Sequence, residues 1–245
     1  KKNKLFFLII LIFILSEVLI FLSGERAAFF YINLSAIFII IFSNKLMRLR
    51  LITLLSSFFL IIIIAHFNPL AKERIIDKTI KQLNIVNVDG KISLADIKDG
   101  VYIFSRHHTH HYISSYRMFL DNKVLGVGVK NFRNYCNSKK YKVSKLSCAT
   151  HPHNTYIQIL AETGIIGFIF IIFIFLYFLK KIFLHLLLKF KKKTYFNDFE
   201  ICILSGILLY LWPFVPTGNV FNNWLNIIFF LYFPFLAYGK KLNKT

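Results

Sequence analysis

Two histidines flank a proline in the stretch "THPHNTYIQ", immediately before a long apolar run. Imidazole titrates near neutral pH, so His153 could accept a proton as a general base or bind an anion as imidazolium. Thr155 and Gln158 fit the T-x-x-Q capping box, which predicts a helix from Tyr156. The unpaired N–H groups and positive dipole end of such a helix would draw an anion towards the imidazole. A histidine that only caps an interfacial turn is the alternative interpretation.

Two arginines could supply charge-assisted hydrogen bonds to the same anion. Arg26 follows "SGE" and opens an apolar run, where a cation is costly at membrane depth unless it is paired or functional. Glu25 could pair with it, or the side chain could snorkel to the interface. Arg117 lies beside the apolar stripe of a helix predicted in "HHYISSYRMFLDNK". Two guanidiniums can bind a diphosphate through bidentate hydrogen bonds, which lysine cannot form.

The histidines raise the question of a metal site, because six of the eight share one hydrophilic segment. These six are His107, His108, His110, His111, His151 and His153. Imidazole is a common zinc ligand, but neither HExxH nor a Cys/His ligand spacing is present. We therefore expect no metal ion and interpret "RHHTHHY" as a solvated or interfacial stretch.

Composition places these residues beside a membrane. The chain is 56% hydrophobic and 18% aromatic, with 29 Phe, and still has a net charge of +20. Crossing a hydrocarbon core of about 30 Å takes roughly 20 apolar residues. We predict an all-α polytopic membrane protein with three spans in 1–66, a large loop with short helices at 67–155, and three spans in 156–245. The six predicted spans are 5–23, 27–43, 50–66, 156–179, 200–215 and 222–238.

Basic residues set the predicted orientation. Clusters of Lys and Arg precede the first span, separate the second from the third, follow the fourth and end the chain. Six alternating spans place all four clusters on the cytoplasmic side and the loop 67–155 outside. The loop has fifteen Lys and Arg against six acids. Such a surface suits anionic lipid or diphosphate partners, although a merely solvated basic face is an equal alternative.

The cysteines agree with an oxidising compartment. Cys136 and Cys148 lie twelve positions apart in the outer loop, whereas Cys202 lies within the predicted fifth span. We expect a disulfide between the first two, which would contribute roughly 3 kcal/mol in the chain-entropy description. Two unpaired thiols are the alternative.

Four segments resemble the superfamily of O-antigen ligases and O-antigen polymerases (Wzy). They are "SGERAAF", "YRMFLDNKVLGVGVKNFRNYC", "CATHPHNTYIQILAETGIIG" and "PFVPTGNVFNNW". The resemblance covers nearly the whole chain and is weakest in 67–105. It implies a membrane glycosyltransferase of the GT-C type in the bacterial inner membrane, with its active site on the periplasmic side. The donor would be a glycan on undecaprenyl diphosphate.

The resemblance also implies site residues and acceptors. The catalytic histidine of the family corresponds to His153, and its diphosphate-binding arginines correspond to Arg26 and Arg117, with Arg133 as a further one. His151 and Asn154 would support them. The reaction would invert the anomeric centre and use no metal ion and no cofactor. Lipid A-core is the expected acceptor, as in a ligase, while a second repeat unit (polymerase) or a protein hydroxyl are alternatives.

Family members usually have ten or more spans, so we expect this sequence to be the C-terminal half of a longer protein. A transporter and a membrane sensor are the alternatives from other functional classes. A transporter of an anionic lipid-linked glycan would more often show paired broken helices at the midplane. A membrane sensor would have no need of Arg26 in a membrane turn. We favour the transferase and expect no nucleic-acid partner.

Single cysteines introduced at Lys91 and Lys192 test the orientation. A membrane-impermeant thiol reagent should label Lys91→Cys in intact cells, because the outer loop is predicted to face the periplasm. Lys192→Cys should react only after the membrane is permeabilised. The reverse labelling pattern would overturn the placement of the loop.

Overall fold

A computed structural model describes residues 2–82 and 105–242. Within these two ranges every regular element is helical, which confirms the all-α class. Residues 83–104, which include Lys91, lie outside the described residues.

Ten α-helices follow one another in the described ranges. The first five are α1 (Lys2–Ser23), α2 (Arg26–Phe42), α3 (Met47–Phe67), α4 (Pro69–Lys72) and α5 (Lys78–Gln82), with a π-helical turn at Glu73–Asp77 between the last two. The others are α6 (Arg106–Asp121), α7 (Phe132–Tyr135), α8 (Thr155–Phe190), α9 (Asp198–Tyr210) and α10 (Asn223–Leu242).

Three of these helices are long and apolar enough to cross a membrane, namely α1 from Lys4 onwards, α3 and α8. The shorter α2 is also apolar. The predicted count of six spans is therefore not confirmed. The fifth predicted span, 200–215, is wrong at its end, because α9 stops at Tyr210. Its 13 residues cover only about 20 Å. Pro213 and Pro216 follow, and neither can donate the N–H that a continuing helix needs.

Helix α8 differs from the predicted span 156–179 in length and in shape. It runs 36 residues to Phe190, or roughly 54 Å, so it is longer than a bilayer core. It is also broken at Gly164, whose φ of 66° and ψ of −161° are not helical. This backbone region is essentially restricted to glycine.

The outer loop forms backbone hydrogen bonds with α8 on both sides of this break. The N–H of Ile165 donates to the carbonyl of Lys123 at 2.8 Å, and the N–H of Val127 donates to the carbonyl of Ala161 at 2.9 Å. The backbones approach so closely that a Cβ at Gly164 would collide with the Val124 carbonyl. The loop after α6 is thus docked main chain to main chain on α8.

The opposite end of the molecule holds the turns between α2 and α3 and between α8 and α9. The Asp198 carboxylate accepts from the backbone N–H groups of Asn44 and Lys45 at 2.7 and 3.2 Å and lies 3.7 Å from Arg50. The ring of His185, fully buried in α8, bonds to the carbonyl of Phe42 at 2.9 Å. Two of the predicted cytoplasmic connections therefore share one end, away from Arg26 and His153.

Two apolar clusters fill the interior between the helices. One joins α1, α3 and the turns after α3 through Phe21, Ile61 and Ile75. The other joins α2, α8, α9 and α10, with Leu204 and Ile207 of α9 among its most buried members.

Gly164→Ala tests the junction between the loop and α8. The new Cβ would collide with backbone atoms, and alanine would have to adopt a backbone conformation that only glycine tolerates. We therefore expect the thermal unfolding midpoint to fall by about 4 °C or more, the shift that roughly 2 kcal/mol produces in a chain of this size. Gly218→Ala is the matched control, because its Cβ would meet only the tip of the Leu225 side chain. Equal midpoints for the two variants would contradict the junction.

Candidate active site

The N-terminus of α8 is capped by Asn154. Its Oδ1 accepts from the N–H groups of Tyr156 and Ile157 at 3.0 and 3.1 Å, and its Nδ2 donates to the carbonyl of Pro213 at 2.8 Å. The predicted capping box of Thr155 with Gln158 is therefore wrong by one residue. The helix end also differs from the expectation of free donors, because the asparagine side chain already occupies two of them.

Side chains of the first turns of α8 hold the irregular segment 211–220 in place. The Tyr156 hydroxyl donates to the carbonyl of Leu211 at 2.6 Å. Gln158, fully buried, accepts from the N–H of Val220 at 3.1 Å and donates to the Asn219 side chain at 2.8 Å. Non-helical backbone near a membrane is tolerated where protein groups satisfy it, and α8 supplies those groups.

The same segment positions the two histidines before α8. The N–H of Thr217 donates to the carbonyl of His153 at 2.9 Å, and the carbonyl of Thr217 accepts from Nε2 of His151 at 3.3 Å. Nδ1 of His151 then accepts from the Thr150 hydroxyl at 2.9 Å. Both ring nitrogens of His151 are thus occupied. His153 has a φ of 62°, so its backbone lies in the left-handed region, which is uncommon for residues other than glycine.

Four imidazoles meet at this point, and we call them the histidine cluster: His108, His111, His151 and His153. The ring centroid of His153 lies 4.1 Å from that of His151, 5.5 Å from that of His108 and 5.6 Å from that of His111. The interpretation of "RHHTHHY" as a solvated stretch is therefore wrong for two of its members. Among the described residues, no three His, Cys, Asp or Glu side chains are arranged to hold a metal ion.

Burial keeps the histidine cluster neutral. The pKa values of His108, His111 and His151 are each lowered to about 4. Burial is the largest cause, and electrostatic repulsion from His153 is the second. Burial also lowers the pKa of His153. Because each imidazole disfavours a charge on its neighbours, the cluster accepts a first proton far more readily than a second.

Two of the predicted arginines act electrostatically on the histidine cluster, and the third, Arg117, binds elsewhere. Arg26 is close enough to His108 to help lower the pKa of that ring, and Arg133 acts in the same way on His151. Arg117 is exposed, and its Nη1 donates to the carbonyl of Lys142 at 3.0 Å. It also lies six residues beyond His111 on α6, about 9 Å further along the helix axis.

A buried carboxylate that was not predicted supports the loop side of the site. Glu162 of α8 is 1% exposed. Its Oε1 accepts from the N–H of Phe132 at 2.9 Å, and its Oε2 accepts from the N–H of Lys130 and from Gln158 at 3.0 and 3.1 Å. Glu162 therefore positions the start of α7, which carries Arg133.

The predicted disulfide is present next to this helix. Cys136, at the end of α7, is joined to Cys148, with Cα atoms 5.0 Å apart, and Cys202 is free. The bond ties the Arg133 helix to the segment that leads into His151.

Signals for the missed residues existed in the sequence. His108 and His111 are three residues apart, which places them on one face of a helix. Glu162 is an acid two residues before the glycine that breaks an apolar run, and acids within predicted spans are usually partnered or functional.

The pH dependence of stability follows from the lowered pKa values. The unfolded chain binds protons at histidine near pH 6.5, whereas the folded histidine cluster resists them down to about pH 4. The contribution of the histidine cluster to the free energy of unfolding is therefore complete above about pH 6.5 and is lost as the pH falls towards 4.

Thermal unfolding midpoints should decline as the pH is lowered from 7.5 to 5, and His108→Gln should reduce the slope of midpoint against pH. The exposed His66→Gln should leave the slope unchanged, and equal slopes for wild type and His108→Gln would contradict the assignment.

Comparison with known families and proteins gives one clear result. The family described as O-antigen ligase matches residues 9–172, about two thirds of the chain. Neither the curated proteins nor the solved structures contain a match. The matched range includes Arg26, the histidine cluster and Glu162, so the family pattern and the site occupy the same part of the sequence. The chain belongs to the O-antigen ligase family.

Proposed function

We propose that the chain transfers a glycan from undecaprenyl diphosphate to a hydroxyl acceptor on the periplasmic face of the inner membrane, as an O-antigen ligase does with lipid A-core. The observation that carries the proposal is the position of His153. It lies among three neutral imidazoles, of which His108 is near enough to Arg26, and His151 near enough to Arg133, for the guanidinium to lower the pKa of the ring.

The reaction balances without a metal ion. The acceptor oxygen forms a bond to the anomeric carbon, the bond from that carbon to the phosphate oxygen breaks, and the configuration inverts. The hydroxyl proton passes to His153, and the electron pair leaves with the diphosphate. Since the diphosphate is already a good leaving group, the main task of the protein is to stabilise its growing charge.

His153 is suited to be the base. Its pKa is lowered by burial, so the ring is unprotonated at neutral pH. Within the described residues its ring contacts are with other imidazoles, and neither ring nitrogen is taken by a hydrogen bond, in contrast to His151. General-base catalysis of this kind contributes roughly 10²–10⁴-fold.

The arginines would bind the diphosphate. Arg26 opens α2 beside His108, and Arg133 lies on α7, which Glu162 and the disulfide hold. A guanidinium offers two parallel N–H donors to phosphate oxygens, a geometry that an ammonium lacks. For Arg117 the support is the family resemblance alone, because its guanidinium binds the Lys142 carbonyl.

Substitutions in the full-length protein, expressed in a strain that lacks it, test the proposal. His153→Ala should reduce glycan transfer at least about 100-fold. Arg26→Lys and Arg133→Lys should each reduce it roughly 10-fold or more, because charge is kept and only the planar fork is lost. Transfer is measured as polymer on lipid A-core and as accumulated undecaprenyl-linked glycan.

Matched controls lie away from the site. His66→Ala and Arg48→Lys change exposed residues of α3 and should transfer as the wild type does. Full transfer by His153→Ala would reject the proposed base. If cells lacking the protein keep lipid A-core bearing single repeats but lose longer chains, the enzyme is a polymerase.

A further inference from the structure

Helix α6 has a buried polar face whose hydrogen-bonding groups lack partners. Among the residues that the structure describes, Nδ1 of His111 and the hydroxyls of Tyr112, Ser114 and Ser115 accept and donate no hydrogen bond. All four side chains are at most 8% exposed. Four such atoms within five consecutive residues are unusual, because buried polar groups in folded proteins are nearly always paired.

Another buried serine of the outer loop makes the hydrogen bonds that the α6 hydroxyls lack. Ser147 is equally inaccessible, but its Oγ accepts from the N–H groups of Val143 and Ser144, both at 2.8 Å. The serines of α6 instead keep their hydroxyls unpaired on the side of the helix that faces the protein. A role in folding does not account for Ser115, since its hydroxyl makes no bond that an alanine would lose.

The unpaired groups begin at the proposed reaction centre. The His111 ring stacks on His153 at 5.6 Å, and the Tyr112 ring lies 6.3 Å from that of His108. Ser115 follows His111 by four residues on the same face, about 6 Å further along the helix. That length is comparable to one pyranose ring.

A tyrosine of α2 also lies near this face. The hydroxyl of Tyr31 is buried and also without a partner in the described part of the chain. It is near enough to Tyr112 to contribute to the raised pKa of that hydroxyl, although burial is the larger cause. The Tyr112 ring contacts His108, on which Arg26 acts, so the unpaired hydroxyls adjoin the proposed diphosphate site.

The chemistry of the groups defines the ligand. Hydroxyls and a neutral imidazole both donate and accept hydrogen bonds, and they carry no charge to balance an acid. Positive charge is found only near the start of α6 in this set of residues, where Arg26 of α2 acts on His108. A ligand with many hydroxyl or amide groups and no charge therefore suits the face better than a phosphate or a carboxylate.

We propose that the buried face of α6, formed by His111, Tyr112 and Ser115 together with the nearby Tyr31 of α2, binds the uncharged sugar ring attached to the diphosphate of the donor. This inference rests on the proposed function and adds to it the class of the first sugar, a neutral hexose or N-acetylhexosamine. Tyr112 and Ser115 would determine specificity and hold the ring while His153 takes the proton.

Binding measurements on the full-length protein in nanodiscs test the proposal with two probes. One is undecaprenyl diphosphate, and the other is the same lipid with a single N-acetylglucosamine. Wild type should bind the sugar-bearing lipid at least about tenfold more tightly. Tyr112→Phe and Ser115→Ala should each reduce that ratio severalfold, and the double variant should bring it close to one.

Stability provides an independent readout. Removing a buried hydroxyl that has no partner should leave the thermal unfolding midpoint of the ligand-free protein unchanged or raise it. Tyr116→Phe is the matched control, because Tyr116 is on the same helix but is 52% exposed, so the substitution removes a tyrosine hydroxyl outside the buried face. It should keep the wild-type binding ratio.

The outcomes separate this inference from the proposed function. Wild type that binds both lipids equally would show a face filled by water alone, which overturns the sugar site and leaves diphosphate binding intact. A double variant that keeps the wild-type ratio, or that loses it only with a lowered midpoint, also overturns the sugar site. Wild type that binds neither lipid would overturn the proposed function itself.

Discussion

The need to satisfy irregular backbone next to a membrane shapes the whole site. Two non-helical segments, 122–131 and 211–222, lie against the first turns of α8. Helix α8 supplies hydrogen-bond partners to both segments. Tyr156 and Gln158 bond to the later segment, while Ala161 and Glu162 bond to the earlier one. The break at Gly164 is part of the same arrangement, because it frees the N–H of Ile165 for the loop.

This arrangement has consequences for the chemistry. The segment 211–220 holds His151 and the His153 backbone through Thr217, and the loop brings α6 onto α8, where Met118 and Ala161 belong to one buried cluster. Two histidines from α6 thereby reach two histidines that precede α8. The proposed active centre is built by the docking of three distant pieces of chain on one helix end.

The residues of the proposed site lower the stability of the fold. Four imidazoles are partly removed from water, and their lowered pKa values mean that each prefers to be neutral there. A row of unpaired hydroxyls adjoins them on α6. Such groups lower the stability of a folded chain, and they persist where a ligand supplies the missing partners. The disulfide and the Glu162 carboxylate offset part of this cost by holding α7 in place.

Hydropathy, cysteine spacing and local motifs were enough to predict the helical class, the long apolar helices, the disulfide and the position of His153 before α8. These features depend on residues close together in sequence, where periodicity and capping act. Tertiary structure decided the rest. Asn154 caps the helix instead of Thr155 because its amide also reaches Pro213, 59 residues away. His108 contacts His153, whereas Arg117 bonds to the Lys142 carbonyl, because α6 packs on α8 by one face only. Contacts between residues far apart in the sequence set the pairing of these two helices, and no local pattern contains them.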